Sequence, residues 1–210
     1  MPRFLRFSTL VLLVAALAAC DNGDPDDNPD PIQAEVVNDL AADPITGFDP
    51  NTGQPIGANR FTFYSLREDR FVPNADSAST EWDLGFKGTE IIVNGGVSGP
   101  GEGAALVWTG AFEDLTEAPA DGYATDTEEG NAIPTGSGNG WYNYNPQVNL
   151  VTPIPGRVLV VQTADGRYAK VRILSYYRGA PETPDPATDQ ARYYTFEYVF
   201  QPDGTRSFED

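Results

Sequence analysis

Arg157-Val158-Leu159-Val160-Val161-Gln162-Thr163-Ala164-Asp165-Gly166-Arg167-Tyr168-Ala169-Lys170-Val171-Arg172-Ile173-Leu174-Ser175 is the stretch that decides the fold class. Arg157 to Thr163 reads as one strand and Tyr168 to Ser175 as its return, with Asp165-Gly166 as the hairpin signal between them. Asp-Gly suits a tight turn whose backbone needs positive φ at both central positions. Toward the C-terminus, Arg192 to Phe200 reads as the longest strand, with Tyr194, Phe196, Tyr198 and Phe200 on one face. Asp203-Gly204 then turns the chain toward Arg206-Ser207-Phe208. Toward the N-terminus, Arg60 to Leu66 is aromatic and β-compatible, with Phe61, Phe63 and Ser65 on one face. Trp82, Leu84 and Phe86 alternate with Asp83, Gly85 and Lys87, the pattern of a half-buried strand. Glu90 to Asn94 and Ala105 to Trp108 are short apolar runs bounded by glycine. Only Ala34 to Ala42 and Phe112 to Glu117 could hold a turn or two of helix. The expected class is all-β: a single compact antiparallel domain with little helix.

Composition narrows the chemistry. The 210 residues include no His, one Cys and one Met, which is Met1. A Ser-His-Asp triad, a Cys-His pair, His-ligated zinc, an intrachain disulfide and a cysteine zinc site are therefore excluded. Hydrophobics at 40% with 11% aromatics supply a real core, while 21 Gly and 18 Pro argue against a long helical bundle. With 13 basic against 31 acidic residues the net charge is −18, so nucleic acid would be repelled. Only Lys87 and Lys170 are lysines; such a surface suits either high salt or ordinary export.

The N-terminus reads as an address. Arg3 and Arg6 precede the apolar run Leu10 to Ala19, which is too short for a membrane-spanning helix and the right length for a signal-peptide core. Residues 1–19 are the expected leader. Leu17-Ala18-Ala19-Cys20 resembles a bacterial lipobox, which makes Cys20 the lipidated first residue of the mature chain. Losing Arg3 and Arg6 would take its net charge from −18 to −20. Residues 20–31 carry five Asp and three Pro between Asp21 and Pro31, the composition of an extended acidic tether. Their spacing only loosely suggests a calcium loop, because the Gly is misplaced and no bidentate Glu follows. The acidic run also resembles the surface-export signal of Bacteroidota lipoproteins. Residues 32–210 show no second linker and no repeat, so one β domain is expected there.

Motif by motif, enzymatic chemistry finds no footing. The glycine-rich run Asn94 to Gly103 lacks the Lys-Ser or Lys-Thr of a phosphate loop, and Glu102 would repel phosphate. Asp83, Glu90, Glu113 and Asp114 supply carboxylates, but 31 acids make a chance pair at glycosidase spacing expected. No Gly-x-Ser-x-Gly elbow occurs. The chain is expected not to be an enzyme. Aromatics are the other excess, clustered as Trp141-Tyr142-Asn143-Tyr144, Tyr176-Tyr177 and Tyr193-Tyr194. They supply either ordinary β-packing or an aromatic-lined pocket for a flat apolar ligand.

Several of these blocks together resemble the HmuY haem-carrier lipoproteins. They are Trp82-Asp83-Leu84-Gly85-Phe86, Glu90 to Gly96, the glycine-rich loop into Ala104-Ala105, and Pro119-Ala120-Asp121-Gly122-Tyr123. Gly140-Trp141, Val160 to Gly166, Tyr168 to Val171 and Tyr194 to Tyr198 complete a collinear likeness over about residues 55–202. The resemblance implies an all-β surface lipoprotein of the outer membrane that binds haem and passes it to a TonB-dependent receptor. It also implies two iron ligands, paired His or paired Met. One would lie between the Asp-Gly-Tyr and Gly-Trp blocks, the other just after Gly-Trp. Here Ala124 to Asn139 and Tyr142-Asn143-Tyr144-Asn145-Pro146 contain neither residue type. Two functions stay open: haem or porphyrin binding by apolar enclosure, with a tyrosine on the iron, and a surface interaction module that keeps the fold. For the first, Tyr142 and Tyr144 are the candidate cofactor-binding residues. They follow Gly140-Trp141, share a strand face, and are of the one remaining ligand type. A phenolate held by ferric iron would give preference for ferric over ferrous haem.

Overall fold

The computed structural model describes residues 32–209; the leader, Cys20 and the acidic tether lie outside the described residues. Of the thirteen strands among the described residues, nine form two main antiparallel sheets. The first contains β1 (Ala34–Ala41), β13 (Ala191–Gln201), β12 (Tyr168–Tyr177), β11 (Arg157–Gln162) and β8 (Ala104–Thr109), in that spatial order. The second runs β5 (Arg70–Val72), β4 (Thr62–Ser65), β6 (Leu84–Lys87), β7 (Glu90–Val93). Two short hairpins, β2 (Gly47–Phe48) with β3 (Pro55–Ile56) and β9 (Tyr142–Asn145) with β10 (Leu150–Pro153), stand apart from both sheets. The fold is all-β, and among the described residues no helix is long and apolar enough to cross a membrane.

The long C-terminal strand drives the packing. Its alternation places Tyr194, Phe196 and Tyr198 in the core, where Phe196 stacks on Phe86 of the second sheet at 5.5 Å and meets Tyr64 edge-on at 5.7 Å. Leu84, Ile91 and Val93 oppose Leu159, Val161 and Val171 in the same cluster, so the two sheets bury their faces against each other. The outer faces are covered too. Phe112, Leu115 and Phe208 lie over Val158, Val160 and Val199, and Lys170 is buried there with its ammonium donating to the Phe112 and Leu115 carbonyls at 2.9 Å each.

Four local expectations change. Ala34–Ala41 is a strand, not a helical turn: a bulge between Val37 and Leu40, with Asp39 left-handed at φ 53°, brings two residues three apart onto the core. The spacing imitates a helix, but pairing with β13 supplies the backbone hydrogen bonds. Phe112–Asp114 keeps only a 3₁₀ turn. Trp82 precedes β6 and packs outside with Phe63 and Ile92, while Leu84 and Phe86 face inward, so this segment is buried on both sides rather than half-buried. The β11–β12 turn is left-handed only at Gly166, φ 84°. Gly166 N–H donates to Thr163 O at 3.0 Å, and Thr163 N–H donates to Arg167 O at 2.7 Å. That closes a three-residue loop instead of a two-residue turn.

Candidate functional site

The glycine-rich loop is structural. Asn94 is fully buried and donates through Nδ2 to Trp82 O (2.7 Å) and Ser79 O (2.9 Å), and its Oδ1 accepts from Gly101 N–H (3.1 Å). Asp83 is likewise a staple, accepting from Leu66 N–H (2.8 Å) and Ala164 N–H (3.0 Å) and so tying the β4–β5 turn to the β11–β12 hairpin. Burial raises its pKa against those two bonds. Both side chains spend their polar atoms on backbone partners.

Residues 124–139, where the resemblance places one iron ligand, are mostly exposed but are pinned to the fold through the buried Asp126, Ala132 and Ile133. Asp126 is 1% exposed and accepts from Val93 N–H (3.0 Å) and Ala132 N–H (2.7 Å). Ile133 follows into the main core at 1% exposure.

The aromatic excess converges instead around the β9–β10 hairpin. Trp141 lies 4.9 Å from Tyr142, 5.1 Å from Tyr194 and 5.8 Å from Tyr176, and Tyr176 meets Tyr177 edge-on at 5.7 Å. The β6–β7 turn pins this group: Trp141 donates its indole N–H to Thr89 O (3.0 Å) and Tyr194 donates to Gly88 O (2.9 Å). In front of it opens a cleft of about 480 Å³. One wall is the β2–β3 hairpin with Ile45, Phe48 and Pro55, and the other is Tyr144, Tyr176 and Tyr177, closed by Ala191 and Arg192. Phe48 and Tyr144 of the lining are 65% and 41% exposed, and Ile56 on the adjoining β3 is 46% exposed.

The two candidate tyrosines part here. Tyr144 lines the cleft, and its hydroxyl donates to Asn149 Oδ1 at 2.9 Å. Tyr142 is buried beneath, accepting a bond from Thr89 Oγ1 at 3.3 Å. Tyr177 accepts from Val151 N–H at 3.1 Å. Burial pushes the phenols of Tyr176, Tyr177 and Tyr194 up, so all three stay neutral at physiological pH. The exposed Phe48 and Tyr144 rings of the lining would suit the flat ring system of a porphyrin. The lining does not supply paired His or Met ligands to grip iron from both sides, since the chain has no His and no Met after residue 1. Sequence reading found Tyr144, Tyr176 and Tyr177; it missed Ile45, Phe48 and Arg192. The signal for the hairpin was present in Asp49-Pro50-Asn51-Thr52-Gly53, a turn sequence flanked by apolar residues.

Among known proteins, no curated sequence matches the chain. Solved structures do. A protein from Bacteroides vulgatus described as HmuY-like and heme-binding aligns at 21% identity and TM-score 0.46, over 74% of this chain and 96% of its own. The apo HmuY analog of Tannerella forsythia aligns at 17% and 0.45, over 82% and 96%. Apo PinO from Porphyromonas gingivitis aligns at 16% and 0.44, over 80% and 96%. Residues 58–198 match the family model described as HmuY protein, so this chain belongs to the HmuY family.

Proposed function

We propose that this protein is a surface lipoprotein of the outer membrane, anchored through Cys20, that holds haem or another porphyrin in the aromatic cleft and delivers it to a TonB-dependent receptor. The observation that carries the binding step is the cleft itself. Its volume of about 480 Å³ falls within the range of small-molecule sites. Its exposed Phe48 and Tyr144 rings offer surface to a flat ligand. Family membership supports the ligand class, and the lipobox and acidic tether support the location. In this reading Tyr144 acts through its ring, and Tyr142 supports the wall from behind.

The test is titration of residues 21–210 with haemin. Wild type should bind saturably. Tyr144→Ala should weaken binding roughly tenfold by removing an aromatic contact, whereas Tyr144→Phe should stay within about twofold. A Tyr144→Phe variant that loses both affinity and its charge-transfer bands would instead make the phenolate an iron ligand. The second reading, a surface interaction module, is favoured by the exposed Phe48, Ile56 and Val148 side chains. It predicts no saturable haemin binding in the wild type.

A further inference from the structure

Arg192 stands out in the wall of this cleft. The chain is strongly acidic, yet the cleft's described lining contains a single charged residue, and that residue is a cation. Arg192 also sits at φ 69°, a left-handed backbone uncommon outside glycine, at the start of the core strand β13. Such a conformation persists where the surroundings over-determine it, and it clusters at functional positions.

Those surroundings fix the guanidinium between this cleft and a neighbouring one lined by Asp43, Gly57 and Glu90. Its Nη1 donates to Asp43 O at 2.9 Å and to Asp43 Oδ2 at 3.3 Å. Asp43 is itself left-handed at φ 57°, its side chain is 7% exposed, and its Oδ1 is buried with no hydrogen-bond partner. Gly57, on the return from β3, lies directly on that carboxylate, where any Cβ would collide with it. The Tyr176 phenol lies within electrostatic reach of Arg192. An under-bonded buried carboxylate beneath an arginine is costly for stability alone. It is accounted for if Asp43 holds the guanidinium in place for something else. Both bonds to Asp43 fall on Nη1, and a guanidinium carries five N–H donors in a planar fork, so donors remain for a second anion.

We infer that Arg192 selects a carboxylate on the ligand, so that the cleft takes a planar aromatic anion by its ring and its acid group and needs no metal to retain it. The inference rests on the reading of the cleft as a site for a porphyrin-like ring. It explains how an acidic protein accepts an anionic ligand: the repulsive field is offset locally by one oriented cation and a charge-assisted, bidentate-capable contact.

The experiment uses residues 21–210 and three probes: protoporphyrin IX, its dimethyl ester, and haemin. Binding is read from quenching of Trp and Tyr fluorescence. Wild type should bind protoporphyrin IX and haemin within about threefold of each other, and the ester roughly 10- to 100-fold more weakly, the range of a hydrogen bond to a charged group. Arg192→Gln should bind acid and ester alike, and Arg192→Lys should recover part of the preference. Equal binding of acid and ester by wild type, or a preference that survives in Arg192→Gln, overturns the role of Arg192 while leaving the cleft as a ring site. Haemin binding far tighter than protoporphyrin IX overturns the metal-independent claim. Failure of wild type to bind any probe removes the ring site and this inference with it. The comparison of acid with ester in the wild type needs no variant to fold.

Discussion

Replacing Asp126 with Ala tests whether residues 124–139 are a strap pinned to the core in this chain rather than a ligand-bearing loop. The carboxylate satisfies two buried backbone donors, Val93 N–H at 3.0 Å and Ala132 N–H at 2.7 Å, at a site with 1% exposure. Leaving a buried donor unsatisfied costs about 1–3 kcal/mol. Two of them therefore cost ~2–6 kcal/mol, of which the relief of desolvating the carboxylate returns a part. The expected loss is about 3 kcal/mol, which lowers Tm by roughly 6–12 °C for a domain of this size. Asn keeps one acceptor but points a donor at the other N–H, so Asp126→Asn should fall about midway. The assay is urea unfolding, with the midpoint moving at constant m-value. Porphyrin affinity should stay unchanged at temperatures where the variant is folded, because the strap contributes no residue to the cleft lining. A variant as stable as wild type, or one that is folded but fails to bind, would refute the reasoning.

Two further outcomes follow from the chemistry of particular side chains. Burial opposes ionisation of Asp165, yet bonds from Arg167, Thr163 and Arg67 hold its carboxyl well below the usual carboxylate range. A depressed folded pKa gives stability that is full above the unfolded pKa near ~4 and lost as pH falls through the folded value. The difference in urea midpoint between wild type and Asp165→Asn should thus be largest at neutral pH and close in acid, at about 1 kcal/mol or less because the pair is largely exposed; a gap that widens in acid would contradict this. Separately, Cys20→Ala should release the protein from the membrane fraction, since the acyl chains on that residue supply the anchor; retention of the variant would exclude a lipid anchor there.

Much of the fold could be read from alternation along the strands. Tyr194, Phe196 and Tyr198 all face the opposite sheet, as period-two reasoning expects, although Thr195 and Val199 on the other face of β13 are buried as well. That reasoning failed where local spacing misrepresents the backbone. The Val37–Leu40 bulge puts two core residues three apart, and only pairing with a strand more than 150 residues away distinguishes this from a helical turn. Trp82 leaves the inner face because a bend precedes β6, a feature set by the buried Asp83 and Asn94 bonds. The site was half legible. Tyrosine clusters announce themselves, and Tyr144, Tyr176 and Tyr177 do share a cleft. Spacing alone could not show that Tyr142 sits beneath the wall, or that Ile45, Phe48 and Arg192 come from distant segments to complete it. Those placements depend on tertiary contacts such as Arg192 with Asp43, 149 positions apart.

The central claim is that a flat ring sits between the β2–β3 hairpin and Tyr144–Tyr176. Amide and methyl NMR spectra of residues 21–210, recorded during titration with diamagnetic zinc protoporphyrin, test it directly. Ring-current shifts should concentrate on Ile45, Phe48, Tyr144, Tyr177 and Ala191 and saturate at one equivalent, with residues 124–139 little changed. Shifts centred on residues 124–139, or spectra unchanged at saturating porphyrin, would contradict it.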